Sequence, residues 1–486
     1  MFMRMVYDEK LAQAAYILGC QRTGEAIVID PERDVDRYID LARANGLRIT
    51  AVAETHIHAD FVSGARELAE ETGATVYVSA EGGADWRSEW LTQKSGGGEY
   101  PHRVLRDGDK FNIGGIELVA WHTPGHTPEH IAYIVTDRGS GADEPIGVVT
   151  GDFVFVGDLG RPDLLESAAG EAGAMEPAAR RLHETVQRLD ALPDFVQIWP
   201  GHGAGSACGK ALGAVPTSTL GYERRFNRAI REAQDARGFV DFILAGQPEP
   251  PLYFATMKRV NKLGPRVLGR VPKPAQLAPG SLAAIDTADI AVIDTRPWAA
   301  FRDAHLPGSL SIPLDRAFNT DAGSLVAEHE RIILILDPAR IDEAVRDLIR
   351  VGLDHIEGWV DASAFESDAS LTRGRIEDIT PEQAAERIHA GDVRVLDVRR
   401  ATEFAAGHID GALQIAHTRL ASRLHEVPDE KPWIVHCQSG VRSARAASLL
   451  QRRGRNVTNL RGGMLAWTRA GLPAITEPIA SEANAS

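Results

Sequence analysis

The residues of this chain that can ligate, attack or move protons gather in a few short segments. THIHADF (55–61) carries His56, His58 and Asp60, TPGHT carries His126, TGD carries Asp152, and PGH carries His202. An H-x-H pair on a turn projects two imidazoles toward one region of space, and imidazoles joined by a carboxylate make a transition-metal donor set. Any one of these histidines alone reads as readily as a packed residue. Four such segments, each at the end of an apolar run, point to a metal centre. A second constellation lies near the other end of the chain. PWIVH runs into Cys437, Gln438, Ser439, Gly440, Val441 and Arg442, and SARAASLLQRRG follows with helical character. A cysteine on a short loop before a helix meets successive backbone N–H groups and the positive end of the helix, both of which favour a thiolate. Arg442 adds positive charge for an incoming sulfur anion. This is the setting of a nucleophile that works through a covalent intermediate.

These groups need a scaffold. AIVID (26–30) and ITAVAET (49–55) read as strands. VDRYIDLARANG reads as a helix with Gly46 as its C-terminal cap, and ADFVSGARELAEETG as a helix closed by its last glycine. Val104 to Val135 has the turn signals of a β meander at DGD and GG. IGVVTGDFVF and FVQIW are apolar strands that deliver TGD and PGH, so each candidate metal segment falls on a loop at the end of a strand, where a rigid sheet can hold it. Residues from about 210 to 245 read as helical and charged, QPEPPLY interrupts them, and LGPRVLGRVPKPAQLAPG reads as a linker ending near residue 280.

Beyond the linker the sequence repeats itself. IAVIDTRPWAAFRDAHLPGSLSIPL begins at Ile290, and VRVLDVRRATEFAAGHIDGALQIAH begins at Val393. Asp294 and Asp397, Arg296 and Arg399, Phe301 and Phe404, His305 and His408, and Gly308 and Gly411 all align at one constant offset, which marks two copies of one small α/β unit. The first copy has RIILILDPARIDEA where the second has its cysteine segment, and Asp337 falls near the place of Cys437. No cysteine lies between Cys208 and Cys437, so the first copy cannot carry a cysteine persulfide. His305 and His408 occur in both copies, which favours a structural role for them.

Bulk properties narrow the classes. A chain of 486 residues corresponds to about three domains at roughly 100–200 residues each. The net charge of −15 argues against a nucleic-acid partner. Three cysteines do not make a disulfide framework, and a reducing compartment fits them. No apolar run approaches the roughly 18–20 residues of a membrane span, and no signal peptide is visible. The expectation is a soluble cytoplasmic protein without membrane or nucleic-acid partners.

The order H-x-H-x-D, GHT, TGD, GH resembles the metallo-β-lactamase superfamily, which implies an αβ/βα sandwich with metal at the sheet edge. Many members hold two zinc ions and have histidine directly after the aspartate. Here that position is Phe61, which has no lone pair to offer. The resemblance is therefore to the persulfide dioxygenases, which bind one ferrous iron (Fe2+) through two histidines and one aspartate. Carried over by motif, the ligands are His56, His126 and Asp152, with His58, Asp60 and His202 as neighbours that orient them. GDLGRPDLL (157–165) is similar to a segment of these dioxygenases, which makes Arg161 and Asp163 candidates for shaping the substrate pocket, an arginine fork being able to grip a carboxylate; the alternative is a structural Arg161–Asp163 pair. PGHGAGSACGK (200–210) resembles dioxygenases fused to rhodanese domains. Cys208 is a candidate sulfur relay there, a small buried hydrophobe being the commoner fate of a lone cysteine. Cys20, in the apolar stretch YILGC, reads as core.

The segment Cys437–Arg442 (C-x-x-G-x-R), with LDVR, GHI-x-GA and RGGMLAW around it, resembles the rhodanese active-site loop over residues of about 375–473. The resemblance implies three parts: a metallo-β-lactamase-fold domain at 1–262, a cysteine-less rhodanese-like domain at 263–372 with a scaffolding or interface role, and an active rhodanese domain at 373–486. The implied function is iron-dependent oxidation of a low-molecular-weight thiol persulfide by dioxygen to sulfite, joined to sulfur transfer through Cys437 with thiosulfate or sulfite as partner, in reactive-sulfur clearance by a homo-oligomer, dimer or tetramer. The competing readings are a zinc thioester hydrolase similar to glyoxalase II with rhodanese appendages, and a non-catalytic persulfide sensor.

Overall fold

The computed structural model describes residues 1–167 and 172–476. The chain divides into two compact units, Met1–Val271 with Ile349–Gly352, and Pro272–Leu348 with Leu353 onward. The last ten residues of the third expected domain, 477–486, lie outside the described residues, as do 168–171.

The first unit is built on two six-stranded sheets. One holds β1 (Phe2–Asp8), β2 (Gln13–Cys20), β3 (Glu25–Ile29), β4 (Arg48–Ala53), β5 (Thr75–Ser79) and β6 (His102–Leu105) in that order. The other holds β7 (Lys110–Ile113), β8 (Ile116–His122), β9 (Ile131–Asp137), β10 (Gly147–Gly151), β11 (Gln197–Pro200) and β12 (Ser218–Thr219). Side chains alternate between the faces of a strand, and the central strands are apolar on both. In β2, Ala14, Tyr16 and Leu18 face the core between the sheets, while Ala15 and Ile17 face the layer beneath Tyr38, Ala42 and Leu68 on the helices Asp36–Ala44 and Ala65–Thr72. In β9, Tyr133 and Val135 join the same inter-sheet core, and Ala132 faces Leu182 and Val186 of the helix Met175–Gln187. The result is helix, sheet, sheet, helix, the expected αβ/βα sandwich. Strands doubly covered in this way read as continuous apolar runs, which is why AIVID and IGVVT were legible.

Two expectations need correction. The helix after the H-x-H segment begins only at Ala65, so Asp60 to Gly64 belong to the loop; Gly73, at φ +69, closes that helix as expected. The preceding helix, Asp36–Ala44, is capped by Asn45, and Gly46 follows one residue further on at φ +67.

The second unit contains two five-stranded sheets with one strand pattern. The first is β13 (Ala275–Gln276), β17 (Ile356–Asp361), β16 (Arg331–Leu336), β14 (Ile290–Asp294) and β15 (Leu310–Ser311). The second is β18 (Glu377–Ile379), β22 (Val457–Leu460), β21 (Trp433–His436), β19 (Arg394–Asp397) and β20 (Leu413–Gln414). All their pairings are parallel. β13 lies inside the stretch read as a linker: Ala275 and Gln276 pair with Gly358 and Trp359. The repeated residues do the same work in each copy. Arg296 forks onto Asp294 at 3.0 and 2.6 Å, and Arg399 onto Asp397 at the same distances. His305 stacks on Phe301 and donates from Nδ1 to its carbonyl, and His408 does so with Phe404. No helix among the described residues is long and apolar enough to cross a membrane.

Candidate functional site

The loop after β4 carries the first donors and is fastened from three sides. The Asp30 carboxylate accepts from Thr55 N at 2.7 Å and Thr55 Oγ1 at 2.8 Å. Glu129 Oε1 accepts from Ile57 N at 2.8 Å. Asn261, on the helix Tyr253–Leu263, donates to the carbonyls of His58 and Phe61 at 2.8 and 2.7 Å and accepts from Ser63 N at 2.9 Å. Thr55 Oγ1 also lies 2.9 Å from His56 Nδ1, and an imidazole engaged at one nitrogen offers the other to a metal in a fixed orientation. His126 follows the same logic: its Nδ1 lies 3.0 Å from the Arg161 carbonyl, and its Nε2 faces Asp152 Oδ2 at 3.5 Å. Asp152 leaves the end of β10, and its N–H donates to His130 Nε2 at 3.0 Å. Gly151, just before it, has φ +49, and a Cβ there would meet Thr55 and His130.

One donor atom from each of His56, His126 and Asp152 lies within 4.8 Å of the others, and all three residues are buried. Both Asp152 carboxylate oxygens are buried without a hydrogen-bond partner. An ionised carboxylate left so is costly unless a cation completes it. Burial holds the His56 and His126 imidazoles below their ordinary range and therefore neutral. Burial opposes ionisation of Asp152, yet the surrounding imidazoles, His202 first, hold its carboxyl below the usual range. Neutral imidazoles with an ionised carboxylate are the form that binds a divalent metal, so the residues fit such an ion.

His58 is not part of this trio. Its Nε2 lies 3.1 Å from Asp30 Oδ1 and 3.0 Å from Glu54 Oε2. Burial works against its charge, but the two carboxylates outweigh it and raise its pKa. His202 Nε2 lies 3.3 Å from Asp60 Oδ2 and 3.4 Å from Asp152 Oδ1, with Nδ1 at 3.1 Å from the Ala12 carbonyl. Asp60, His202 and Cys208 form a second group of possible ligands within 4.8 Å of one another. The structure thus brings the Cys208 thiol beside Asp60 and His202. Burial, with Asp60 and Asp152 nearby, raises the Cys208 thiol well above its ordinary range.

Arg161 and Asp163 are spent on each other. Arg161 is fully buried, donates to Asp163 at 3.0 and 2.6 Å, and gives its remaining arm to the Ala207 carbonyl at 2.8 Å. No free fork remains for a substrate carboxylate. Its carbonyl orients His126 and its guanidinium anchors the chain beside Cys208, so the expectation of a substrate grip gives way to a structural one. A cavity of about 390 Å³ does open beside His126, walled by Gly125, Thr127, Leu165, Ala178 and Arg181. Asn261, His130, Glu54 and Glu129 carried no motif signal. The first acts from the buried face of a distant helix, in line with Tyr253 and Met257, and the others look in sequence like ordinary surface residues.

The cysteine loop follows β21. Cys437 is buried, and the Gly440 N–H donates to its Sγ at 3.2 Å. Gly440, at φ +97, turns the chain into the helix Val441–Arg452. Arg442 forks onto Glu403 at 2.7 Å through both arms, which raises the pKa of the guanidinium and lowers that of the carboxyl. Arg399 reaches Gln438 Oε1 at 3.3 Å. In the other copy Asp337 stands directly after β16, where Cys437 stands after β21, and it caps a short turn by accepting from Ala339 N. Cys20 is buried in the inter-sheet core, where Gly115 N–H donates to its sulfur at 3.2 Å.

Comparison with known proteins agrees with this geometry. Residues 9–202 match the model of the metallo-beta-lactamase superfamily, and residues 380–470 that of the rhodanese-like domain. A beta-lactamase hydrolase-like protein of Xylella fastidiosa is 28% identical over 301 residues, 55% of this chain; the chain spans 61% of that relative's length. The mitochondrial persulfide dioxygenase ETHE1 of Bos taurus is 26% identical over 204 residues, covering 41% of this chain and 67% of the relative. The crystal structure of a metallo-beta-lactamase from Staphylococcus aureus superposes with a TM-score of 0.65 at 39% identity, over 74% of this chain and 98% of that one. With the sandwich, the clustered donors at its sheet edge and the cysteine loop in place, the chain belongs to the metallo-beta-lactamase superfamily and carries a C-terminal rhodanese-like domain.

Proposed function

We propose that this chain oxidises a low-molecular-weight thiol persulfide with dioxygen to sulfite at one iron held by His56, His126 and Asp152, and transfers sulfur through Cys437. The observation that carries this reading is the pairing of His58 with Asp30 and Glu54. It commits Nε2 of the second histidine of H-x-H to carboxylates, while the donor atoms that gather within 4.8 Å of one another are those of two imidazoles and one carboxylate. Iron held by these two histidines and the carboxylate would supply the oxidation of the persulfide sulfur by dioxygen. The chain's own residues do the rest. Thr55 and the Arg161 carbonyl aim the two imidazoles, and His130 holds the backbone of Asp152. The cavity next to the His126 loop has apolar walls at Leu165 and Ala178 that suit the body of the thiol. The likeness to a bovine persulfide dioxygenase supports the same reaction.

In the second unit the Cys437 thiolate attacks a sulfur donor and carries the outer sulfur as a persulfide. The copy between residues 263 and 372 is read as a rhodanese-like domain without a nucleophile, and 373–486 as the active one. Sulfite made at the first site is a natural acceptor for sulfur held at the second. The chain is taken to act as a homo-oligomer in the cytoplasm.

A second reading has its own observation. Asp60, His202 and Cys208 could hold another metal beside the first, which suits a zinc thioester hydrolase similar to glyoxalase II. Anaerobic purification with metal analysis separates the two. About one iron per chain and oxygen uptake with glutathione persulfide support the dioxygenase; two zinc per chain and no oxygen uptake refute it.

A further inference from the structure

The duplication supplies an internal comparison for the residues around Cys437. In the cysteine-bearing copy, β19 and β21 pair Asp397 with His436 in register, and His436 directly precedes Cys437. In the cysteine-less copy the matching pair is Asp294 with Ile335. An imidazole therefore stands where the same fold is built with an isoleucine. Both side chains are fully buried. Neither ring nitrogen of His436 has a hydrogen-bond partner among the described residues, and its Nε2 lies 3.6 Å from Asp397 Oδ2. A buried polar group left unpaired is destabilising, and the other copy shows that the sheet does not require one at this place.

A second difference lies in the same cluster. Arg296 and Arg399 fork onto their aspartates alike, but their remaining arms diverge. Arg296 reaches another carboxylate, Glu366 Oε1, at 3.1 Å. Arg399 reaches Gln438 Oε1 at 3.3 Å, on the residue directly after Cys437. The guanidinium of the cysteine-less copy thus lies between two carboxylates. That of the cysteine-bearing copy is matched by one, with an imidazole beside it. The groups that face His436 are Asp397 of β19, Arg399 in the loop after it, His408 beyond the helix Ala401–Ala405, and the backbone of Cys437. Burial outweighs Asp397 and holds the imidazole below its ordinary range, so it stays neutral until further negative charge comes near.

We infer that His436 is a positioning residue for sulfur transfer: it takes up a proton as anionic sulfur reaches the Cys437 loop, and with Arg399 it holds that charge in place. The inference rests on the proposed sulfur transfer through Cys437. Thiosulfate brings a doubly negative ion to a thiolate that is itself negative. Added charge of one sign favours the oppositely charged form of a titrating neighbour, so the arriving anion draws a proton from solvent onto the imidazole. The Cys437 thiolate attacks the outer sulfur, the sulfur–sulfur bond breaks, and sulfite leaves with the electron pair. The outer sulfur stays on Sγ as a persulfide anion. Once an acceptor has taken that sulfur and left, the proton returns to solvent. No proton enters the bonds made or broken. The cysteine-less copy handles no sulfur anion, and there an apolar side chain and a second carboxylate occupy the corresponding places.

The test uses the full chain with thiosulfate as donor and saturating cyanide as acceptor, and compares the parent with His436→Ile and His436→Gln. Isoleucine is what the other copy carries at this register. Glutamine keeps hydrogen-bonding atoms but cannot take up a proton. Both variants are expected to lose about tenfold in kcat/KM for thiosulfate at about pH 6, the lower end of what charge in a cleft contributes to capture of an ion. The deficit should shrink as the pH rises to about 8, because the parent's imidazole then gives up its proton in the loaded site as well. A deficit that stays constant across that span, as a merely structural loss would give, overturns the assignment. So does the absence of any deficit, or full activity of the glutamine variant. Urea unfolding shows whether each variant is folded, and His436→Gln carries the test if His436→Ile is not. If the unaltered chain moves no sulfur from thiosulfate, the sulfur-transfer reading itself fails and takes the role of His436 with it.

Discussion

Replacing Arg161 with methionine removes a fully buried cation and leaves the Asp163 carboxylate, 8% exposed, without its partner. Three donated hydrogen bonds go with it, two to Asp163 and one to the Ala207 carbonyl. Breaking one side of a buried ion pair costs about 3–5 kcal/mol, because the surviving charge stays buried and uncompensated. Replacing both sides with apolar groups of similar size is often close to neutral. Arg161→Met is therefore expected to lower the unfolding free energy of the first unit by about 3–5 kcal/mol. Arg161→Met with Asp163→Leu should recover most of that loss, a coupling that a double-mutant cycle reads directly. The assay is urea unfolding of the metal-free chain followed by tryptophan fluorescence, with KM for glutathione persulfide measured on the same variants. If Arg161 instead gripped substrate, the single variant would stay within about 0.5 kcal/mol of the parent, as surface changes do, and its KM would rise. That pair of results, or a double variant no more stable than the single one, refutes the structural role.

Three further outcomes are expected. Asp152→Asn should cut metal affinity by more than the roughly 10–100-fold that follows loss of an orienting neighbour; metal analysis after dialysis that finds full occupancy would count against Asp152 as a ligand. Glu129, buried with its carboxyl pushed up to about 7, is protonated more readily folded than unfolded, so its contribution to stability is full below its ordinary 4.5 and is lost as pH rises through about 7. That span corresponds to roughly 3 kcal/mol, and Glu129→Gln should gain about that much on the parent between pH 4.5 and 7.5 in urea titrations of the metal-free chain; parallel pH profiles would refute the burial argument. Cys437→Ser should abolish sulfur transfer from thiosulfate while oxygen uptake with supplied glutathione persulfide continues, and loss of both activities would show that the two sites are not independent.

Much of the site was legible because metal and thiol chemistry need particular atoms on particular turns. His56, His126 and Asp152 stand at strand ends that apolar runs announce, and Cys437 sits between a strand and a helix that its glycine and flanking residues mark. What stayed hidden was whatever depended on distant chain. Asn261 lies some 200 residues from the loop whose carbonyls it clamps, and a single amide on a helix has no spacing to betray it. Arg161 could be named as important, but whether its fork met substrate or Asp163 turned on burial.

The sequence by itself determined the apolar strands of the first unit, the duplication of the second, the donor types at the strand ends and the one copy that holds a nucleophile. Each of these is written in periodicity or residue type, which are local. Tertiary structure alone decided that His58 belongs to Asp30 and Glu54, that Cys208 comes beside Asp60 and His202, and that His436 stands beside Asp397 at the register where the other copy has Ile335. These are distances between groups far apart along the chain, and only the packing of sheets and helices brings them together.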